Sequence, residues 1–477
     1  MRTGSHAQAG AASATSTTPA YGPELRESTA IAELFLGVFR RDLATFFPRA
    51  RVLQIEPGIT WPDRPSGSVF RLLVDEIDQR VSVDLFGLRY GVEPFDGRRF
   101  SEHDIRMIKA IGAVLGLRHH HLFQIDHPSR LELFRGGSED HYVAAFVEPW
   151  AYSEISPRPS RIASTIQTLR TAALSTYENR RVSTGALLLG SDQSSRPVCP
   201  DALPYGVELT ALKSIHRLCD GKRTVYLVDI EGRLIEVVDI ARWAESIPPL
   251  STLEVPCARD YTAHARSTRY GGNLCLVLSP NQEIKLFAGG SQQFAYSHGR
   301  WRILDPWTKF AIWSSALEDQ RLARVLFQTA LDLAECRQGG LFVVIDEPAV
   351  AVGRLIAPHD ILAIDQPTDP PNNLNPGDPL AKRALHYLAR GRSIADLDPS
   401  VLEAFAALDG AIATDRSGRL LAYGAILRHD ASGTISPAVE GARTTAAMIA
   451  SRFGPVLKVS EDGIVSCFLG GTRVWDL

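Results

Sequence analysis

Three short segments near the C-terminus carry side chains that suit the chemistry of phosphate compounds and metal ions. They are Asp409-Gly410-Ala411, Gly441-Ala442-Arg443-Thr444-Thr445-Ala446-Ala447 and Val459-Ser460-Glu461. The carboxylates of Asp409 and Glu461 are hard oxygen ligands, which Mg²⁺ and Mn²⁺ prefer. Arg443 lies near the start of a predicted helix, where its guanidinium can bind phosphate oxygens beside the unpaired N–H groups of the first turn. Residues of these types can hold a divalent metal, in the case of Asp409 and Glu461, and can bind phosphate, in the case of Arg443.

Smaller residues of the same region are candidates for contacts with a nucleotide. Gly410 lets the backbone approach a ligand closely. The hydroxyls of Thr444, Thr445 and Ser460 can donate hydrogen bonds to phosphate or ribose. The full candidate set is Gly410, Ala411, Gly424, Thr444, Thr445 and Ser460. For Asp409 the alternative interpretation is a turn aspartate ahead of a strand.

The elements that must position these residues occur twice in the same order, which predicts an internal repeat. Each copy reads as a helix, a buried strand, a hairpin with a D-x-x-G-R-L turn, a helix that ends at glycine, and a closing hairpin. In the second copy these are 324–334, 339–345, 408–427, 441–454 and 456–469. In the first copy they are 166–176, 184–190, 226–238, 262–271 and 274–290.

The second copy, over residues 316–477, resembles the diadenylate cyclase (DAC, DisA_N-type) domain family. The resemblance rests on the element order and on the three segments, which match the family's D-G-A, G-T-R-H-R-A-A and V-S-E. It implies that ATP is the substrate, that Mg²⁺ or Mn²⁺ is the cofactor, and that Asp409, Arg443 and Glu461 are catalytic. It also implies an active site formed face to face by two domains, because each domain holds one ATP.

Departures from the family pattern leave the activity open. Thr444 and Thr445 replace a histidine and an arginine, and Ala442 replaces a threonine. The S-P-L-H before D-G-A is absent, and an insertion over 365–392 begins with a Pro/Asn-rich stretch that is either a lid or a surface excursion. We expect a diadenylate cyclase that makes cyclic di-AMP and pyrophosphate under control of N-terminal sensor domains. The alternatives are an inactive sensor that binds ATP or a cyclic dinucleotide, and an unrelated duplicated α/β scaffold.

The first copy lacks the three segments, so the sequence predicts a pseudo-cyclase. Aligned on the shared turn, Arg223 stands where the second copy has Asp409. Asp260-Tyr261-Thr262 stands where the second copy has Arg443-Thr444-Thr445. Two arrangements follow from the resemblance: a homodimer through the second copies, or pairing in cis with the pseudo-cyclase, which would block synthesis.

The N-terminal third resembles a GAF-type sensor domain through Phe100-Ser101-Glu102-His103-Asp104 and the apolar helix that follows. Ser101 is a predicted N-cap with Asp104 at the third helical position. A metal site at His119, His120 and His121 is conceivable, although consecutive helical residues do not share a face. Residues 135–147 read as a turn and a strand, with Glu139, Asp140 and His141 in a solvated turn or as ligands.

The expected fold is therefore α/β, with a GAF-like α+β sensor followed by two tandem DAC-like mixed-sheet domains. Its parts are a disordered tail at 1–23, the GAF-like sensor domain at 24–130, the degenerate DAC-like domain at 131–308 and the DAC domain at 309–477.

Composition limits the other possibilities. The 477 residues are 45% hydrophobic and carry a formal net charge of −3, which gives no reason to expect binding to nucleic acid or to an anionic membrane. We find no transmembrane stretch and no signal-peptide core in the first twenty residues. Six scattered cysteines without a C-x-x-C pair are expected to be buried hydrophobes of a reducing cytoplasm.

Overall fold

The computed structural model forms a mixed α/β chain that divides into two compact units, Met1–Leu133 and Phe134–Leu477. It describes residues 23–55, 70–74, 80–85, 88–94, 99–123, 128–153, 156, 160–191, 202–212, 214–248, 255–362, 386, 388–389, 391–428 and 441–477. The predicted tail through residue 22, Cys199 and the Pro/Asn-rich stretch at 366–376 lie outside the described residues. Both predicted copies fall within the second unit.

The first unit joins two helices to a four-stranded antiparallel sheet. Its elements are α1 (Pro23–Phe46), β1 (Arg51–Gln54), β2 (Phe70–Val74), β3 (Val81–Leu85), β4 (Leu88–Glu93) and α2 (Glu102–Phe123), and the strand order is β1-β4-β3-β2. The predicted start of α2 is confirmed: the Asp104 N–H donates to Ser101 Oγ over 3.1 Å, and the Ser101 N–H donates to Asp104 Oδ2 over 2.9 Å. This reciprocal capping box satisfies two N–H groups at the start of the helix.

The predicted strand at 135–147 is wrong, because residues Ser138–Val147 form helix α3. The solvated turn expected for its start is also wrong. Asp140 is buried and accepts hydrogen bonds from Trp301 Nε1 (2.8 Å) and from Arg170 Nη2 (2.7 Å). Burial raises the pKa of the Asp140 carboxyl despite these donors. The run Tyr-Val-Ala-Ala-Phe is buried on every side, so the helix has no polar face and its 3.6-residue period leaves no mark in the sequence.

The second unit contains two mixed sheets. The first sheet includes β7 (Thr184–Leu188), β8 (Thr224–Val228), β9 (Leu234–Asp239), β10 (Leu274–Leu278), β11 (Ile284–Ala288), β12 (Ser291–Ser297) and β13 (Arg300–Ile303). The second includes β14 (Gly340–Ile345), β15 (Ala411–Asp415), β16 (Leu420–Ala425), β17 (Val456–Val459), β18 (Val465–Leu469) and β19 (Thr472–Asp476). A two-residue ribbon, β5 (Thr176–Tyr177) with β6 (Arg180–Arg181), precedes the first sheet. We call residues 134–305 the first half of this unit and residues 306–477 the second half.

The helices of the second unit follow the same division. In the first half they are α3, α4 (Arg161–Ala173), α5 (Ile215–Leu218), α6 (Ile240–Glu245) and α7 (Thr262–Ser267). In the second half they are α8 (Pro306–Leu317), α9 (Gln320–Glu335), α10 (Pro348–Leu355), α11 (Pro399–Ala406) and α12 (Ala442–Ala450). Over the described ranges, every helix is too short or too polar to cross a bilayer.

The two sheets share one strand order. The first reads β9-β8-β7-β10-β11-β12 with β13 added at the edge, and the second reads β16-β15-β14-β17-β18-β19. In each sheet a single central pair is parallel, β7 with β8 and β14 with β15, and the other pairs are antiparallel. The turns also match, since Asp229 Oδ1 and Asp415 Oδ1 each accept the N–H groups two and four residues onward. The two halves therefore repeat one topology.

Helix α9 connects the halves. Its strongly apolar face, with Leu326 and Phe327, packs into the core of the second sheet, while Leu331 contacts the core of the first. Asp332 accepts hydrogen bonds from the backbone N–H of Arg259 (2.7 Å) and from its Nε (2.9 Å). Among the described cysteines, Cys336 at the end of α9 is exposed, which corrects the expectation that all are buried.

Candidate functional site

The Asp409-Gly410 pair joins helix α11 to strand β15 at a place where the backbone of β16 passes very close. Gly410 has φ +115°, and a Cβ built on it would lie 2.4 Å from the carbonyl carbon of Gly424. Gly424 itself has φ +52°. Since an L-side chain is strained at the first position both by its φ and by this contact, position 410 requires glycine. The D-G-A segment thus presents the Asp409 side chain at a fixed point beside the sheet.

Arg443 brings the three predicted segments together. It lies in the first turn of α12, and its guanidinium reaches over Gly339, where a Cβ would lie 2.0 Å from Arg443 Nη1. Nη2 is 3.9 Å from Asp409 Oδ1, and Nη1 is 3.7 Å from Glu461 Oε1. The guanidinium is therefore placed between two carboxylates that are far apart in the sequence.

The site is open to solvent. The Asp409 side chain is fully exposed, that of Glu461 is 78% exposed, and that of Arg443 is 35% exposed. Both ion-pair distances exceed hydrogen-bond length, so neither carboxylate occupies the guanidinium donors in a tight pair. Exposed pairs of this kind contribute little to stability. The two carboxylates and the guanidinium are therefore accessible to a ligand.

The predicted hydroxyl residues have unequal positions. Thr444 is buried, and its Oγ1 accepts a hydrogen bond from Lys458 Nζ over 2.9 Å. Thr445 is half-buried on the next position of the same helix turn. Ser460 Oγ donates to Ile464 O over 3.1 Å and also contacts the Asp462 carboxylate. Ser460 thus shapes the 460–464 turn that carries Glu461.

Two residues near the site did not emerge from the sequence. Lys458 brings a second cation beneath α12, and Gly339 leaves room for the Arg443 side chain. Although partial burial opposes ionisation, hydrogen bonds from Ser460 and from the backbone hold the pKa of Asp462 below its usual range. Lys458 could have been suspected, because it interrupts a strand whose other residues are all buried.

The donor chemistry fits a divalent cation that shares its coordination with a phosphate compound. Mg²⁺ is commonly held by one or two carboxylates together with substrate phosphates, and Asp409 and Glu461 supply two exposed carboxylates. Within the described ranges, no group of three or more His, Cys, Asp or Glu side chains is arranged to hold a metal by itself. This includes His119, His120 and His121. Any ion bound here would take its remaining ligands from the nucleotide or from water.

The corresponding place in the first half has other residues. The turn from Ser279 to Glu283 has the same hydrogen bond as the turn from Ser460 to Ile464, which puts Pro280 at the position of Glu461. Ahead of β8, Asp220 Oδ1 accepts three backbone N–H groups and so serves its own turn. The first half therefore lacks the carboxylate pair of the second.

Comparisons with known proteins leave the family open. No family model and no curated protein matches the chain. Among solved structures, a hypothetical membrane-spanning protein from Bacillus cereus is 19% identical, with a TM-score of 0.21 over 31% of this chain and 60% of the other. DacA from Staphylococcus aureus, solved as a double cysteine mutant, is 18% identical, with a TM-score of 0.22 over 34% of this chain and 89% of the other. The chain thus spans less than two thirds of the first neighbour, and TM-scores this low assign neither fold nor activity.

Proposed function

We propose that this protein is a diadenylate cyclase, which condenses two ATP molecules into cyclic di-AMP and two pyrophosphates. The observation that carries the proposal is the position of Arg443 between Asp409 and Glu461, which joins three separate sequence signatures in one exposed site. An isolated D-G-A segment would be a common turn. Two carboxylates and an arginine converging from three elements are instead typical of a site for a metal-bound phosphate compound.

The chain's own residues account for the demands of this reaction. The 3′-hydroxyl of each ATP attacks the α-phosphate of the other, so two P–O bonds form, two bonds to pyrophosphate break and two protons are released. Arg443 would donate hydrogen bonds to the phosphate oxygens, where charge develops. Because Gly410 has no side chain, the nucleotide can approach the backbone of the sheet closely. Mg²⁺ or Mn²⁺, held by Asp409 and Glu461, would neutralise charge on the leaving pyrophosphate.

The open site favours pairing between two chains. Each chain has one set of Asp409, Arg443 and Glu461, and cyclisation needs two ATP molecules face to face. The first half of the second unit is attached through α9 and leaves the Asp409 side chain fully exposed. Pairing in cis would instead have to cover this carboxylate. We therefore propose a homodimer through the second halves, with control by the N-terminal region.

The alternative is a sensor that binds ATP or a cyclic dinucleotide without turnover. The observation that favours it is the state of Thr444, which is buried and holds Lys458 instead of facing a ligand. The family's second arginine is also replaced by Thr445. With fewer phosphate donors, binding would survive more readily than the stabilisation of a transition state.

One experiment separates these functions. The purified full-length protein is incubated with ATP and either Mn²⁺ or Mg²⁺, and cyclic di-AMP is measured by mass spectrometry. The cyclase proposal expects product from the wild type and none from Asp409→Asn. The matched control is Asp396→Asn, which removes an exposed carboxylate whose pair with Arg321 is long, at 3.5 Å. Nucleotide binding without product supports the sensor, and the absence of both contradicts the two proposals together.

A further inference from the structure

A cavity of about 60 Å³ lies between the first sheet and helix α9, away from Asp409 and Arg443. Its walls combine apolar side chains such as Leu304, Leu331 and Val465 with four charged residues. The charged residues are Glu283, Lys285, Arg302 and Glu335. A partly open cavity that mixes apolar walls with charged side chains is unlike a packing defect, which is apolar and dry.

The strand register explains why space exists here. Lys285 on β11 pairs with Ala295 on β12, and Ala295 pairs with Arg302 on β13. The three side chains therefore stand in a row on one face of the sheet, with a single methyl group between two long cationic side chains. Ala295 lines the cavity, and its small side chain forms the floor.

One hydrogen-bond donor of Arg302 is left without an acceptor in the described part of this region. Lys285 Nζ lies 2.7 Å from Glu335 Oε2 and 3.1 Å from Glu283 Oε2, and Arg337 Nη2 lies 2.6 Å from Glu283 Oε1. These two cations neutralise the two carboxylates. The carboxylates of Glu283, Asp462 and Asp476 attract the charge of Arg302, but its buried Nε has no hydrogen-bond partner among the residues that the structure describes. Burial lowers the pKa of this guanidinium, although these carboxylates oppose the shift.

We propose that the cavity binds a small carboxylate, such as acetate or propionate, through Arg302. A carboxylate supplies the missing acceptor for this Nε donor in a charge-assisted hydrogen bond. A cavity of about 60 Å³ has room for a few water molecules, which suits an anion of a few heavy atoms. The neighbouring Leu304, Leu331 and Val465 suit its short carbon chain.

The site also touches the turn that carries Glu461. Gly463 lines the cavity, and Arg337 contacts the backbone oxygen of Asp462 while it holds Glu283. A ligand that changes the hydrogen bonds of Glu283 or Arg337 would therefore change the position of the 460–464 turn. This second step rests on the proposed function and gives the cavity a regulatory role in nucleotide binding.

Binding is tested without nucleotide, by calorimetry on the full-length protein with sodium acetate, propionate, phosphate or chloride at equal ionic strength. We expect the carboxylates to bind the wild type and Arg302→Gln to bind them at least about tenfold more weakly, since one charge-assisted contact is lost. Arg300→Gln is the matched control, because Arg300 is an exposed residue of the same strand. Ala295→Val keeps every charge but fills the floor of the cavity, so it should also weaken binding.

Several outcomes would overturn the proposal. Equal affinity in wild type and Arg302→Gln, or no binding to any of the proteins, would mean that the cavity holds only water. Stronger binding of phosphate or chloride than of acetate would reject a carboxylate ligand. Arg302→Gln is expected to remain folded, because Arg302 is only partly buried and its Nε makes no hydrogen bond in the described part of the chain. The regulatory step is tested separately, by the ATP affinity of the wild type with and without acetate. An unchanged affinity rejects that step alone, and failure to make cyclic di-AMP leaves the binding test intact.

Discussion

The Lys222 ammonium lies 2.6 Å from the Asp260 carboxylate, just ahead of β8 and α7. In the second half, Arg443 at the start of α12 stands at the position of Asp260, and Asp409 precedes β15 one residue after the position that aligns with Lys222. The distance from Arg443 Nη2 to Asp409 Oδ1 is 3.9 Å. The basic residue therefore precedes the strand in the first half and begins the helix in the second, and the acidic residue does the reverse. The pair in the first half is within hydrogen-bond distance, whereas the pair in the second half is not. A closed pair without a second carboxylate offers nothing to a metal-bound phosphate, so we expect nucleotide to bind only in the second half.

Introducing the arginine of the diadenylate cyclase motif should strengthen the proposed nucleotide site. Thr445 is half-buried two residues after Arg443 in α12, so under the proposed function Thr445→Arg adds a second guanidinium to the helix end that would bind phosphate. We expect ATP to bind about tenfold more tightly, as one charge-assisted hydrogen bond contributes roughly 1.5–3 kcal/mol. Fluorescence titration with an ATP analogue measures this. Arg321→Gln, which alters an exposed arginine elsewhere, is the control and should leave the affinity unchanged.

Introducing the histidine of the same motif at position 444 should fail for a structural reason. Thr444→His places a larger ring where Thr444 is buried and hydrogen-bonded to Lys458. Overpacking of this kind costs about 1–3 kcal/mol, and thermal unfolding should show a lower melting temperature than for Thr445→Arg. A stable Thr444→His protein with tighter ATP binding would contradict this account of the helix.

Gly410 should be intolerant of any side chain. Gly410→Ala forces a Cβ to within 2.4 Å of the Gly424 carbonyl carbon at φ +115°. We expect it to lower the free energy of unfolding by about 2 kcal/mol or more. Gly353→Ala is the matched control: it lies in α10 with nothing within 4 Å of the new Cβ, and it should stabilise by up to about 1 kcal/mol. Urea unfolding gives both values. Equal effects would show that the backbone at 410 can relax.

Much of the second half could be predicted from its sequence, because its elements carry local signals. The buried run of β14 and the Asp415 turn each have a distinct pattern, and both are found in place. Helix α12 is also found, but it ends at Ala450, four residues before the predicted end at Gly454. Asp409, Arg443 and Glu461 could be chosen as site residues because they lie in three segments that resemble motifs of the diadenylate cyclase family.

Other features depend on contacts that no local pattern reveals. Helix α3 reads as a strand because it is buried all round, and Asp140 reads as a solvated residue because its partners, Arg170 and Trp301, lie far along the chain. The Lys285, Ala295 and Arg302 row appears only when the register of three strands is known. The residues of this row lie on three different strands, so they do not recur at a regular spacing in the sequence.

Lys285 forms ion pairs with Glu283 and Glu335. Removing Lys285 alone should lower the free energy of unfolding more than removing Lys285 together with a paired carboxylate. Lys285→Met leaves Glu283 and Glu335 buried together, so we expect a loss of about 3–5 kcal/mol in the free energy of unfolding. Adding Glu335→Gln should recover part of this loss. The exposed pair of Arg217 and Glu178, 3.2 Å apart, is the comparison. Arg217→Met should cost less than about 1 kcal/mol. If the double variant were no more stable than Lys285→Met, the charges would not be coupled.

His264 should make the second unit sensitive to acid. The side chain is buried in α7, Nε2 is 2.9 Å from Gly221 O, and Nδ1 has no hydrogen-bond partner in the described part of the chain. Burial lowers the pKa of His264 from 6.5 to about 4. Below pH 6.5 the unfolded chain therefore takes up a proton that the folded protein refuses, and stability falls until the pH reaches about 4. The expected loss in the free energy of unfolding from this group over that interval is about 3 kcal/mol.

Unfolding in urea is followed at several pH values by the fluorescence of buried tryptophans such as Trp301 and Trp313. His264→Gln, which keeps a donor toward Gly221 O, should flatten the pH dependence, whereas His298→Gln on the exposed β12–β13 turn should not. A wild-type curve as flat as that of His264→Gln would show that this imidazole accepts a proton without loss of the fold.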